Sequence, residues 1–279
     1  MKSPDSSPAG YIGAHKALAI CATLIALAPA HLLAAEESAP SSLWGDQTDV
    51  TFGLGMAVAP HYRGDSHYRS ALLPTLSINR GIFFADGLRG LGVQWQSPTG
   101  FAASAAINYD MGRSTKNNGS RFGSKDLKGM GTVKGATVAD INLSQQLLPW
   151  LSINGEAELR TGGEARGNRY RLGVEGLVYH GSADTVTLDL DAHAGDSRYN
   201  QTYFGVNQEQ SQNSRFKRFN ADSGIYAYSA ALNWQHTFDA HWSGVVSAVV
   251  THYADQVDDS PLVRTNAEAM GVFAINYSF

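Results

Sequence analysis

Cysteine is almost absent from this chain. Cys21 is the only one in 279 residues, and it lies inside an N-terminal stretch, residues 1–35, that has the form of an export signal. Lys2 and Lys16 supply the basic start, and an apolar, interrupted run follows up to Ala35. We expect cleavage after Ala35, which leaves a mature chain without a thiol. Disulfides, cysteine nucleophiles and cysteine-ligated metals are then excluded.

Long apolar runs and strong charge are also missing. After residue 35 no stretch reaches the run of about 18 apolar residues that a membrane-spanning helix needs, so a helical membrane protein is excluded. Charged residues make up 16% of the chain and the net charge is −4, too small to indicate a nucleic-acid partner. Glycine (29 residues) and aromatic residues (10%) are plentiful. This composition fits an exported all-β protein.

The final residues, EAMGVFAINYSF, alternate between apolar and smaller or polar side chains. Phe273, Ile275, Tyr277 and Phe279 fall on one face of a strand with the period of two that β-structure requires. An aromatic last residue behind such an alternation resembles the signal read by the barrel-assembly machinery of Gram-negative outer membranes. These four residues are therefore our candidate assembly signal.

The same alternation recurs along the rest of the chain and predicts twelve strands. Their segments are 49–59, 70–79, 81–85, 88–97, 100–110, 133–147, 150–160, 169–180, 184–195, 223–236, 241–253 and 264–279. Short turns and longer loops alternate between them, and outer-membrane barrels combine an even strand count with short periplasmic turns and long external loops. We predict an all-β protein, a transmembrane antiparallel up-and-down β-barrel (49–279) in the Gram-negative outer membrane. A cleaved signal peptide (1–35) and a periplasmic N-terminal segment (36–48) precede it.

One face of each predicted strand is apolar, and the other carries charge in the middle of the chain. An Arg or Lys facing lipid would cost about 2–4 kcal/mol near the midplane, so these charges are expected to face inward. Symmetric spacing across loop 161–168 places Glu158 opposite Arg171 and Arg160 opposite Arg169. The predicted lumen cluster comprises Glu156, Glu158, Arg160, Arg169, Arg171, Glu175, Asp189 and Asp191. Other strands turn small residues inward, which leaves a narrow, porin-like channel as an alternative.

Three stretches resemble the MipA/OmpV family of MltA-interacting outer-membrane proteins. Residues 53–76 carry the pattern P-x-Y-x-G at Pro60–Gly64 and a second-strand Pro74, and NYDMGR (108–113) and TYFGVNQEQSQNS (202–214) follow in order. The resemblance implies a non-enzymatic scaffold without cofactors. Its partners would be a lytic murein transglycosylase and a penicillin-binding murein synthase. Adhesins are also described in the family.

An outer-membrane hydrolase with an active site at the rim is a further alternative. His61, Asp65 and His67 in the first long loop form the best acid–base or metal cluster. A solvated polar loop is the favoured explanation of these residues, because the sequence contains no GxSxG or HExxH motif. The prediction is that the protein is not an enzyme.

Two surfaces are candidates for binding. The loop from Met111 to Lys134 has six cations against Asp126, and Arg and Lys bind the phosphates of lipopolysaccharide well. These cations are Arg113, Lys116, Arg121, Lys125, Lys128 and Lys134. At the other end of the barrel, the segment 36–47 offers Leu43 and Trp44 as an apolar anchor for a periplasmic partner, or as a simple contact with the membrane interface.

Overall fold

The computed structural model describes residues 43–117, 121–163 and 166–279. The predicted signal peptide and residues 36–42 of the N-terminal segment lie outside the described residues. The strands are β1 (Asp49–Pro60), β2 (Tyr68–Arg80), β3 (Phe83–Asp86), β4 (Gly90–Gln96), β5 (Phe101–Asp110), β6 (Ala136–Leu148), β7 (Leu151–Arg160), β8 (Arg169–His180), β9 (Asp184–Gly195), β10 (Gly224–Thr237), β11 (Trp242–Tyr253) and β12 (Ala267–Ser278). The helices are α1 (Ser197–Tyr203), α2 (Gln208–Asn213) and α3 (Asp255–Asp258), with a 3-10 turn at Lys125–Leu127.

These strands form a closed antiparallel barrel in which each strand pairs with its neighbours in sequence. β1 closes the barrel against β12, with Leu54 opposite Ile275. The prediction of a twelve-stranded up-and-down barrel is confirmed, including the short third strand. No helix in the described ranges has the length and apolar character to span a membrane.

The barrel wall is apolar outside and closely packed inside. On β1, Phe52, Leu54 and Met56 are about half exposed, while the residues between them are buried. A band of exposed apolar side chains this extensive is stable in lipid rather than in water. On the inner face Gly53 lies so close to Thr75 and Asn276 that a Cβ would collide with both side chains. The space that a larger residue would take at Gly53 is therefore already filled by the side chains of the two neighbouring strands.

Aromatic side chains mark both edges of the apolar band. Tyrosines lie at the long-loop end, and tryptophan and phenylalanine dominate the short-turn end. Exposed members include Tyr68, Tyr109, Tyr170 and Tyr228 at the first edge, and Trp44, Phe83, Trp95, Trp150, Tyr179, Trp234, Phe238, Trp242 and Phe279 at the second. Such aromatic belts flank the hydrocarbon layer in outer-membrane barrels.

The register between β7 and β8 differs from the prediction by two residues. Glu158 lies opposite Arg169 and Glu156 opposite Arg171, so the predicted facing pair of Arg160 and Arg169 is wrong. The Asn168 side chain accepts a hydrogen bond from the backbone N–H of Arg160 at 2.9 Å and ends the ladder there. The observed register also places each arginine beside a carboxylate, whereas directly opposed like charges are destabilising.

The long loops fold together into one body over the barrel mouth, which we call the crown. Its described parts are residues 61–67, 111–117, 121–135, 196–223 and 254–266. One apolar cluster contains Tyr199, Tyr203, Phe204, Ala221, Tyr226, Ala227, Tyr253, Val257 and Val263, and a second contains Tyr62, Leu127, Met130, Val206, Phe216 and Leu262. Phe219 packs against both clusters. Four loops thus share a continuous core.

The crown reaches into the barrel at two places. Above β10 and β11, Phe204 packs on Tyr226 and Tyr253, with ring centroids 5.3 and 5.8 Å apart. On the neighbouring strands β12, β1 and β2, Phe122 packs against a buried cluster that includes Leu73. Crown side chains therefore pack against the inner wall at five consecutive strands, from β10 through β12 to β2.

Candidate functional site

A layer of buried charge lies directly beneath the crown. Glu158 accepts hydrogen bonds from Arg166 Nη2 at 3.1 Å and from Arg169 Nε at 3.0 Å. Arg166 is only 2% exposed, and it also donates to Asp110 and, at 2.8 Å, to the Tyr203 hydroxyl. The loop between β7 and β8 is thereby tied to the barrel wall and to α1.

The layer continues down the lumen. Arg169 Nη2 lies 3.3 Å from Glu156, whose other oxygen accepts from Arg171 Nη2 at 3.1 Å. Arg171 Nη1 then donates to Asp191 at 2.9 Å. Carboxylates and guanidiniums therefore alternate in an unbroken chain of contacts, in which each charge is compensated by its neighbours.

The structure brings five of the eight predicted lumen residues into this network: Glu156, Glu158, Arg169, Arg171 and Asp191. Glu175 and Asp189 face each other lower on β8 and β9, and Asp189 accepts from Asn233 at 2.6 Å. Arg160 instead donates to the carbonyl of Gly163 in the loop.

Two members of the network, Asp110 and Arg166, were not identified from the sequence. Each lies at or beyond a strand end, where the alternation that marks inward residues has stopped.

The predicted rim cluster is built around a fully buried carboxylate. Asp65 has no exposed side-chain surface, and its Oδ1 lies 3.2 Å from His67 Nδ1. His61 Nδ1 lies 3.6 Å from the other oxygen, Oδ2. Burial, followed by the charge of Asp65, raises the pKa of the neighbouring Tyr62 to about 12. Tyr62 therefore stays neutral, and it packs in the crown core.

An arginine occupies the position that a metal would need in this cluster. Among the described residues, the ligand atoms of Asp65, His67 and Asp126 come within 4.8 Å of one another. Arg264 Nη1 lies 3.3 Å from Asp65, 3.2 Å from His67 and 2.7 Å from Asp126. The guanidinium already supplies the positive charge, so the arrangement is an ion-pair contact that joins three loops.

The first loop is also fixed through Arg63. Its guanidinium carbon lies 5.9, 5.9 and 5.8 Å from the ring centroids of Tyr199, Tyr203 and Tyr226, and Nη1 donates to the Tyr226 hydroxyl at 3.1 Å. A desolvated cation on aromatic faces contributes about 2 kcal/mol. Arg63 lies inside the P-x-Y-x-G pattern, but its packing role was not predicted.

The basic loop is only partly a surface. Arg113 is 4% exposed and donates to the carbonyls of Tyr203 at 2.8 Å and Thr202 at 3.3 Å. Arg121 donates to the carbonyl of Val133. Both guanidiniums donate to crown carbonyls; Arg113 is buried and Arg121 is half-buried, which corrects the expectation of six accessible cations. The exposed ones are Lys116, Lys125, Lys128 and Lys134.

At the short-turn end, Leu43 and Trp44 are held in place while their side chains stay exposed. The Leu43 carbonyl accepts from Ile82 N at 3.1 Å, and the Trp44 carbonyl accepts from Arg80 Nε at 3.2 Å. The Trp44 ring stacks on Phe83 at 4.8 Å. Even so, 65% of Leu43 and 68% of Trp44 remain accessible.

The candidate assembly residues lie on β12 and just after it. Phe273 and Phe279 are exposed to the exterior. The Tyr277 ring packs edge-on against the rings of Trp242 and Phe279, with ring centroids 4.9 Å apart in both pairs. Ile275 pairs with Leu54 across the barrel closure. Their role in assembly stays a prediction.

Comparison with known proteins gives no match among curated sequences. Among solved structures, an outer membrane channel from Pseudomonas putida F1 has a TM-score of 0.44 at 11% identity, with 86% of this chain and 99% of that chain covered. The NanC porin has a TM-score of 0.39 at 9% identity (83% and 99% covered), and a Pseudomonas aeruginosa FadL homologue has 0.38 at 9% (84% and 90%). Likenesses this distant carry no argument about this chain.

A family comparison is decisive by contrast. The sequence model described as MltA-interacting protein MipA matches residues 52–279, from the first strand of the barrel to the last residue. An outer-membrane location is consistent with this family and with the apolar band flanked by aromatic belts. The chain belongs to the MipA family.

Proposed function

We propose that this protein is a non-enzymatic outer-membrane scaffold that docks murein-synthesising and murein-cleaving enzymes on the periplasmic side. The partners that the family resemblance implies are a lytic murein transglycosylase and a penicillin-binding murein synthase. In outer-membrane barrels the short turns face the periplasm. Docking therefore falls to the short-turn end, where Leu43 and Trp44 lie.

The observation that carries the proposal is the exposure of these two side chains in a fixed position. Interface hot spots are commonly large apolar or aromatic side chains, and an anchor that is already ordered loses little entropy on binding. The Leu43–Trp44 segment meets both conditions, because its backbone is hydrogen-bonded to the β2–β3 turn while both side chains project outward.

The other candidate functions have less support from the same structure. A channel would need an open mouth, whereas crown residues pack into the mouth along five consecutive strands. A rim hydrolase would need a free acid–base pair, whereas Arg264 contacts both Asp65 and His67. These contacts favour a protein that acts through its surfaces.

The test is co-purification from solubilised membranes with a double variant, Leu43→Ala with Trp44→Ala. We expect wild type to recover both murein enzymes. The variant should recover at least about tenfold less of each, since hot-spot truncations cost about 2 kcal/mol or more of binding free energy. The matched control is Leu147→Ala with Trp150→Ala. These residues have the same types and similar exposure, 57% and 55%, at another short turn.

Two outcomes would count against the proposal in different ways. If neither enzyme is recovered with wild type, the scaffold function is wrong. If wild type, variant and control recover both enzymes equally, scaffolding stands but the docking surface is not the Leu43–Trp44 segment. The turns around Pro98 and Asp239 are then the next surface to vary, since the control has already altered the turn at Pro149.

A further inference from the structure

The outer surface of the crown contains a basic depression of about 300 Å³. It lies between the loop joining β5 to β6 and the loop joining β9 to β10. Its lining consists of Lys125, Asp126, Lys128, Asn213, Ser214 and Arg215. All cations predicted from the sequence lie on the loop joining β5 to β6, so the contribution of Arg215 from the other loop appears only in the structure.

The two loops are held together directly behind the depression. Gly129, at φ +89°, lies so close to the Asn213 carbonyl oxygen that a Cβ would collide with it. Gln210 Nε2 donates to the Met130 carbonyl at 2.8 Å, and the Ser214 hydroxyl contacts the Met130 sulfur at 3.5 Å. The backbones that carry the cations are therefore held at a fixed spacing, so a ligand between them need not bring the two loops together, which lowers the cost of binding.

The charges around the depression are not balanced. Lys125, Lys128 and Arg215 stand against one carboxylate, Asp126, for a net charge of +2. Asp126 is already engaged by Arg264 at 2.7 Å and by Arg215 at 3.6 Å. In the described part of the chain, the recorded ion pairs do not involve Lys125 or Lys128. The lining therefore holds two exposed lysines, and its one carboxylate is already paired with arginines.

We propose that this depression binds phosphate groups carried by a phosphorylated glycolipid such as lipopolysaccharide. Guanidinium and ammonium groups are the side chains that recognise phosphate oxygens, and a charge-assisted hydrogen bond is about twice as strong as a neutral one. The amide of Asn213 and the hydroxyl of Ser214 add neutral polar groups to the lining. The site lies on the crown, at the opposite end of the barrel from Leu43 and Trp44, and does not depend on the scaffold function.

The experiment measures lipopolysaccharide binding to the full mature protein in detergent. The lining variant combines Lys125→Gln, Lys128→Gln and Arg215→Gln. The control combines Lys116→Gln, Lys217→Gln and Arg218→Gln, which removes the same charge from exposed positions on the same two loops. We expect at least about a tenfold loss of affinity in the lining variant, from hydrogen bonds to charged groups, and little change in the control.

Two further probes identify the chemistry. Lipopolysaccharide stripped of its phosphates should bind wild type as weakly as intact lipopolysaccharide binds the lining variant. Competition by inorganic phosphate would show that the anion alone occupies the site, and its failure to compete would show that the lipid-linked form is needed. Near-ultraviolet circular dichroism of the crown tyrosines checks that each variant is folded.

Equal losses in the lining and control variants would overturn the proposal, because binding would then follow overall charge. Undiminished binding of dephosphorylated lipopolysaccharide to wild type would overturn it as well.

Discussion

Replacing Glu158 with alanine is expected to lower the free energy of unfolding by about 3 kcal/mol, the lower end of the range for breaking a buried ion pair. Glu158 compensates two buried guanidiniums, those of Arg166 and Arg169. Both would stay buried after the change. We expect a loss at the lower end of that range because Arg166 still pairs with Asp110 and Arg169 still pairs with Glu156.

The measurement is the urea concentration at the midpoint of unfolding in lipid vesicles. The folded fraction at each urea concentration is read from unheated gels, on which the folded barrel migrates faster than the unfolded chain. Ser152→Ala on the same strand is the control and should change stability by less than about 0.5 kcal/mol. Glu158→Gln should fall between the two, since its amide oxygen still accepts one hydrogen bond. Identical midpoints for Glu158→Ala and Ser152→Ala would show that the charged layer does not stabilise the barrel.

Replacing Phe204 with alanine is expected to loosen the crown while the barrel stays intact. Phe204 has no exposed surface and packs on both Tyr226 and Tyr253. Truncating a buried phenylalanine costs about 3–5 kcal/mol. If this loss lowers the free energy of local opening of the crown, the fraction of molecules with an open crown rises by about 100-fold or more.

Trypsin reports this opening through sites that the crown already contains. Arg215, Lys217 and Arg218 lie on the same loop as Phe204, and cleavage there follows the open population when reclosing is fast. Phe238→Ala is the control, because Phe238 is 58% exposed at a short turn. A cleavage rate equal to that of wild type would mean that the crown is not one cooperative unit.

The barrel could be predicted from sequence because lipid imposes a simple rule on every strand. Residues such as Phe52, Leu54 and Met56 must be apolar, and their neighbours must fit a narrow lumen. The period of two is therefore visible in β1 and in each later strand. The four-residue β3 was predicted from the short apolar segment 81–85, and the even strand count of outer-membrane barrels agrees with it.

The β7–β8 register could not be predicted in the same way. A shift of two residues preserves which face each side chain occupies, so the apolar pattern does not distinguish the two alignments. Two contacts fix the observed register: Asn168 ends the ladder at Arg160, and Glu158 pairs with Arg169.

The crown was missed because its core has no regular period. Phe204, Val206, Phe216 and Phe219 are spaced irregularly along one loop, and their partners come from other loops. Their apolar character in a segment expected to be solvated was the available signal. The same folding explains why Arg113, counted as a surface cation, became an internal donor to the Tyr203 carbonyl.

The central claim is that the crown and the charged layer close the lumen, so that the protein acts through its two end surfaces. Single-channel recording in planar bilayers tests this most directly, with insertion verified by the gel shift of protein from the same vesicles. Intact protein should insert without stable conductance steps, and Phe204→Ala should introduce a fluctuating leak. Stable, reproducible steps from the intact protein would contradict the claim and identify the barrel as a channel.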